Sequence, residues 1–169
     1  KNVCQISKSK KLNVVNSFFD KKLIDKKKLK NNFDVIFAAN VICHIPDIIT
    51  LFKNIELSLK DNGVFIFEEP YLGDVIEKTS YDQIYDEHFY LFSVNAISSI
   101  IKNLNLEVFN AERIPTHGGS VRYYIQKKGV RKKTKKLIKI LDYENKIKLI
   151  NINTIKNFAK KCILSKKKI

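Results

Sequence analysis

Two apolar runs set the frame of this chain: Val35-Ile36-Phe37-Ala38-Ala39 behind Asp34, and Val64-Phe65-Ile66-Phe67 behind Gly63. Both are short and rich in β-formers, which predicts strands. Their unbroken apolar character predicts burial on both faces, as at the centre of a parallel sheet. Between them, Pro46-Asp47 opens a helix in which Ile48, Ile49, Leu51, Phe52, Ile55 and Leu59 form one stripe. Asn62-Gly63 is expected to close it. Upstream, residues 12–19 (Val14, Val15, Phe18, Phe19) read as a further strand. Residues 21–30 alternate lysine with Leu23, Ile24 and Leu29 at helical spacing until Asn31-Asn32. Downstream, residues 94–104 predict a helix. Residues 106–113 and 120–126 predict two strands, joined through Pro115 and Gly118-Gly119, that close the sheet as an antiparallel pair. This alternation predicts an α/β fold, a truncated doubly wound, Rossmann-like sheet.

Residues 70–92 break the periodicity with polar and aromatic residues, as an active-site insertion does. Beyond Gly129, Leu137, Leu141, Ile147, Ile150, Ile155, Phe158 and Cys162 recur at helical intervals among lysines. The expected organisation is a sheet domain over residues 1–126 and a basic, amphipathic helical segment over 127–169. Nothing in the sequence is obviously built to cover that segment, which reads as a lead into a further domain.

The net charge of +15 raises a nucleic-acid or anionic-surface module as an alternative, but its distribution weakens the idea. Residues 127–169 hold 16 basic and 2 acidic residues, whereas residues 1–126 are nearly balanced. Of the basic residues, 29 are lysine, so the arginine suited to bidentate phosphate and base contacts is scarce. No nucleic-acid partner is expected. Cys4, Cys43 and Cys162 are far apart and lack metal-ligand spacing, which argues against a disulfide framework or a zinc site here and favours reduced thiols in a cytoplasmic setting. No apolar run is long enough for a membrane span.

Acid–base groups concentrate in two places: Tyr85-Asp86-Glu87-His88, and His117-Gly118-Gly119-Ser120. His88 beside Tyr85 and Glu87 reads as a general base with its partners, since imidazole titrates near neutrality without large tuning. Tyr85 alone reads equally as a packing aromatic. His44, after the first strand, either holds a substrate or caps the helix that Pro46 starts. The His117-Gly118-Gly119 segment either brings backbone N–H groups to a ligand or is a plain turn.

Four blocks in order resemble the class I S-adenosylmethionine-dependent methyltransferases, and among them the C-methyltransferases of nucleotide-linked 4-keto-deoxysugars. They are Asp34 to Ile45; Gly63 to Glu68 with Pro70-Tyr71; Tyr81-Asp82-Gln83-Ile84-Tyr85-Asp86-Glu87-His88; and Pro115-Thr116-His117-Gly118-Gly119-Ser120. The family's usual third block has histidine where Asp86 stands. The resemblance implies methyl transfer to a carbon alpha to the sugar ketone, with His88, Tyr85, Glu87 and His44 catalytic. Ala39, Asn40 and Val41 would meet the cofactor, S-adenosylmethionine. Glu68, Tyr71, His117, Gly118 and Gly119 would meet the nucleotide-linked sugar. The alternative is another small-molecule methyltransferase or an inactive relative. The family's glycine-rich cofactor loop, the acid that holds the ribose and the zinc-bearing N-terminal domain have no counterpart in these residues. The chain is therefore expected to be the middle of a longer enzyme and catalytically silent alone, with zinc confined to the domain it lacks.

Overall fold

In the computed structural model, which describes residues 2–167, four strands form one mixed sheet in the order β1-β2-β4-β3. β1 (Phe33–Ala39) and β2 (Leu59–Pro70) are parallel, with Ile36 opposite Phe65 and Ala38 opposite Phe67. β4 (Ser120–Lys127) runs antiparallel to both β2 and β3 (Leu106–Ile114). The two adjacencies read from the sequence, β1 with β2 and β3 with β4, are therefore present.

The helices are α1 (Asn2–Ser9), α2 (Lys21–Lys27), α3 (Ile48–Ser58), α4 (Leu72–Lys78), α5 (Val94–Ile101), α6 (Lys135–Lys146) and α7 (Ile152–Lys166). The core lies between one face of the sheet and the apolar sides of α3, α5 and α6. Ile36, Phe65, Phe67, Tyr123 and Ile125 point to it from the strands, and Phe52, Ile97 and Leu137 from the helices. Phe67 and Tyr123, directly paired across β2 and β4, stack with ring centroids 4.5 Å apart. Asp20, Asp47, Ser93 and Thr134 cap α2, α3, α5 and α6 by accepting backbone N–H bonds.

Four expectations need correction. β1 is buried on one face, not two: it is an edge strand, and Val35 and Phe37 are 57% and 60% exposed because no described helix covers their side. Residues 12–19 form no strand, since no neighbouring strand pairs with them, and Phe18 is 88% exposed. α3 stops at Ser58, before Asn62-Gly63. Leu59 already belongs to β2, and residues between Leu59 and Val64 bulge out of register against β1. Gly63 serves that bulge: a Cβ there would stand 2.8 Å from the Phe33 carbonyl oxygen. The irregular stretch after Pro70 also contains a short helix, α4.

The segment beyond residue 127 is not left uncovered. α6 packs on β3 and α5, with Leu137 and Ile140 in the core and Glu144 buried beside them. α7 is held more lightly, by Phe158 against Val75, Ile76 and Leu149. Leu137→Ala should cost about 2–4 kcal/mol in urea unfolding, as for a buried leucine. A loosely attached tail would show a change of under about 0.5 kcal/mol. Among the described residues, no helix is long and apolar enough to cross a membrane.

Candidate active site

The candidate residues gather at one end of the sheet, where the parallel strands β1 and β2 finish, the usual place for ligands in open α/β sheets. β1 is followed by Asn40, whose φ of 52° turns the chain sharply, and whose N–H is bonded to the Glu68 carbonyl at 2.9 Å. A 3₁₀ turn, Ile42–His44, follows.

That turn is organised by a residue the sequence reading passed over. Glu69 is fully buried, and its Oε1 accepts the N–H groups of Val41, Ile42 and Cys43 at 3.0, 2.6 and 3.3 Å. Three converging donors suit a carboxylate, because hydrogen bonds to an ionised acceptor are the strong ones. Parity along β2 carried the signal: Phe65, Phe67 and Glu69 share one face, and that face is the core. Glu68 points the other way, half-buried, and accepts from Arg122 Nε at 2.5 Å. Cys43 sits under the turn. Burial first, then the hydrogen bond and charge of Glu69, push its thiol up to about 12.

The loop before α5 docks on this turn. Phe89 N–H bonds to the Cys43 carbonyl at 2.9 Å, and Tyr90 Oη to the Pro46 carbonyl at 2.5 Å. His44 and His88 are thereby brought together, their ring centroids 4.9 Å apart. His44 Nδ1 lies 2.7 Å from the Glu87 carbonyl oxygen, and His88 Nδ1 lies 2.9 Å from that of Gln83. A carbonyl can only accept, so each Nδ1 carries the proton and each Nε2 the lone pair. Tyr85 Oη stands 2.8 Å from His88 Nε2. An open depression of about 460 Å³ beside them is lined by His44, Asp86, Glu87 and Phe89.

Glu87 does not fill the orienting role the sequence suggested, because the Gln83 carbonyl holds the His88 ring. The Glu87 contribution runs through its backbone oxygen to His44, and its side chain faces solvent. His44 caps no helix; Asp47 does that for α3. Ala39 is half-buried at the end of β1, and Asn40 and Val41 follow exposed, so these three line an open strand end. Tyr71, expected at the substrate, is instead in the core, with its hydroxyl 3.1 Å from Glu144 Oε1. Glu144 also accepts from the N–H groups of Val94 and Asn95, so this one carboxylate ties α6 to the start of α5.

His117, Gly118 and Gly119 form the turn from β3 into β4, with three successive positive φ angles of 51°, 78° and 138°. It adjoins the end of β2, where Tyr71 N–H bonds to the Gly119 carbonyl at 3.1 Å and Lys78 Nζ bonds to that of Gly118. Gly119 packs on buried Asp74, whose Cγ a Cβ would approach to 2.4 Å. Asp74 is held in turn by Arg113 Nη2 at 2.7 Å. His117 and Gly118 remain exposed beside the site.

Comparison with known proteins gives the family and the fold. A family model described as a methyltransferase domain matches residues 3–111. A second, described as a C-methyltransferase C-terminal domain, matches residues 115–169. The C-methyltransferase NovU of Streptomyces niveus is 29% identical over 87 residues, which span 52% of this chain and 21% of that protein. Among solved structures, the PH0226 protein of Pyrococcus horikoshii OT3 is similar with a TM-score of 0.53 and 16% identity, over 73% of this chain and 64% of that one. A structure titled for the conversion of a disulfide bond into a thioacetal group during echinomycin biosynthesis reaches 0.50 with 9% identity, over 84% and 66%. These two likenesses speak for the fold. The sequence matches carry the assignment: with residues 115–169 similar to a C-methyltransferase C-terminal domain, and 3–111 matching over more than half its length, the chain belongs to the methyltransferase domain family.

Proposed function

We propose that this chain serves methyl transfer from S-adenosylmethionine to a carbon alpha to the ketone of a nucleotide-linked 4-keto sugar, with His88 as the base. The observation that carries this reading is the Tyr85–His88 pair, at 2.8 Å, on a ring whose other nitrogen is pinned to a backbone carbonyl. Carbon is a poor nucleophile until a neighbouring C–H is ionised. A C-methyltransferase therefore needs a base near neutrality and a donor for the developing enolate oxygen.

The end of β1 fits one wall for the cofactor: Ala39 and Asn40 lead into a turn that three Glu69 bonds, to Val41, Ile42 and Cys43, hold in place. When bound, the cofactor supplies the electrophilic sulfonium methyl. His88 Nε2 removes the alpha proton, and the C–H electron pair passes into the enolate. The Tyr85 hydroxyl, on a residue 47% exposed, swings from Nε2 to the enolate oxygen as its donor. The His117 to Gly119 turn offers backbone groups to the sugar or its pyrophosphate. Transfer would then require the enolate carbon to be held in line with the sulfonium methyl, whose thioether would be the leaving group.

The test is isotopic. The polypeptide carrying this chain is incubated in heavy water with a 4-keto-sugar nucleotide, with and without cofactor. Deuterium should enter the alpha position without cofactor, and one alpha C–H should be replaced on methylation. A methyl group found on oxygen, or both alpha hydrogens retained after transfer, refutes the enolate route.

A further inference from the structure

Cys43, His44 and His88 each bring one donor atom to a common point, the three atoms lying within 4.8 Å of one another. No metal-ligand spacing along the chain announces this cluster. Two members come from the 3₁₀ turn after β1 and the third from the loop before α5, and the Phe89-to-Cys43 hydrogen bond brings those segments together. Both imidazoles donate Nδ1–H to backbone carbonyls, so each Nε2 is the ring's acceptor atom; that of His88 accepts from the Tyr85 hydroxyl, which a cation would have to displace or take as its fourth ligand. A ring fixed through its second nitrogen in this way is the usual arrangement of a metal-binding histidine.

We propose that Cys43, His44 and His88 form a site for one divalent cation of the zinc class, with the Tyr85 hydroxyl or a water in the fourth position. One sulfur and two imidazole nitrogens select zinc or cobalt over magnesium or calcium, which take oxygen ligands. Zinc–sulfur and zinc–nitrogen bonds of about 2.3 and 2.0 Å place tetrahedral ligands roughly 3.5 Å apart. The donors therefore need to close by about 1 Å, within reach of side-chain rotation. Asp86 and Glu87 line the open approach and favour entry of a cation. The ion must displace a proton from Cys43, since burial keeps that thiol neutral. Occupancy would also take the His88 lone pair, so the cation and the base role exclude each other. The binding itself does not depend on the catalytic reading.

The experiment uses the 169-residue chain, stripped with a chelator and titrated with Co(II). One equivalent should bind, giving the visible absorption of four-coordinate cobalt and a near-ultraviolet thiolate-to-cobalt band, both bleached by Zn(II). Cys43→Ala should remove the thiolate band. His44→Asn and His88→Asn should each weaken binding about 10-fold or more, while the double variant Cys4→Ala, Cys162→Ala titrates like the parent. His44 is only partly buried, so His44→Asn tests the site with the fold intact, checked by circular dichroism. A thiolate band that survives Cys43→Ala, or an affinity unchanged by both histidine substitutions, overturns the site.

Discussion

Asparagine at position 88 is expected to lower methyl transfer by about 10²- to 10⁴-fold, the usual contribution of a positioned acid–base group. Asparagine can still donate to the Gln83 carbonyl through its amide, so the loop stays in place. What it lacks is a nitrogen lone pair that can accept a proton. Turnover should fall while binding of cofactor and sugar nucleotide holds within a few-fold, and the alpha-proton exchange in heavy water should fall in parallel. Tyr85→Phe should also lower methyl transfer, because the variant lacks the hydroxyl that donates to the developing enolate oxygen. Single-turnover kinetics with direct measurement of ligand binding separates these effects. An asparagine variant that turns over near the parent rate removes His88 from the role.

Glu69→Ala should be among the most destabilising single changes in the chain, by roughly 3–5 kcal/mol. Three backbone N–H groups would lose their acceptor, two of them buried, and each buried orphan costs about 1–3 kcal/mol. With the urea dependence usual for small domains, the unfolding midpoint should drop by about 2 M. Glu69→Gln keeps an acceptor oxygen and should lose well under half as much. A midpoint for Glu69→Ala within about 0.5 M of the parent would mean that the turn is held by something other than these bonds.

The difference between Glu68 and Glu69 also shows what could be read from the sequence. The apolar runs located the parallel pair, although β2 starts earlier, at Leu59, and its sides follow a period-2 alternation. Carried two residues further, that alternation would have placed Glu69 on the core face and Glu68 on the other. A charge ordinarily marks a strand's exit from the core, so the apolar run reads as ending at Glu68. His88 and Tyr85 were visible because they lie three residues apart in one block. Their meeting with His44 was implied only by the family resemblance, as it depends on a loop docking across 43 residues of chain. Gly63 misled for a different reason. A glycine after an apolar stripe fits a helix end and a strand bulge equally, and only the approach of the Phe33 carbonyl decides between them. Residues 12–19 and 34–39 show one further limit. An apolar run states that a segment can be buried, whereas its burial depends on which neighbours are there to cover it.

The Glu144 carboxylate imposes an order on synthesis. Val94 and Asn95 leave the ribosome some fifty residues before the side chain that will accept their N–H bonds. At translation rates of about 5–20 residues per second, that is a wait of roughly 3–10 seconds. During it the first turn of α5 has only Ser93 to hold it, and the Tyr71 phenol has no partner. The sheet can pair as soon as β4 emerges, but the end of the fold that carries the candidate histidines is not locked until α6 arrives. A nascent chain stalled before residue 144 should therefore expose the 71–95 stretch to protease, and one stalled well beyond it should not.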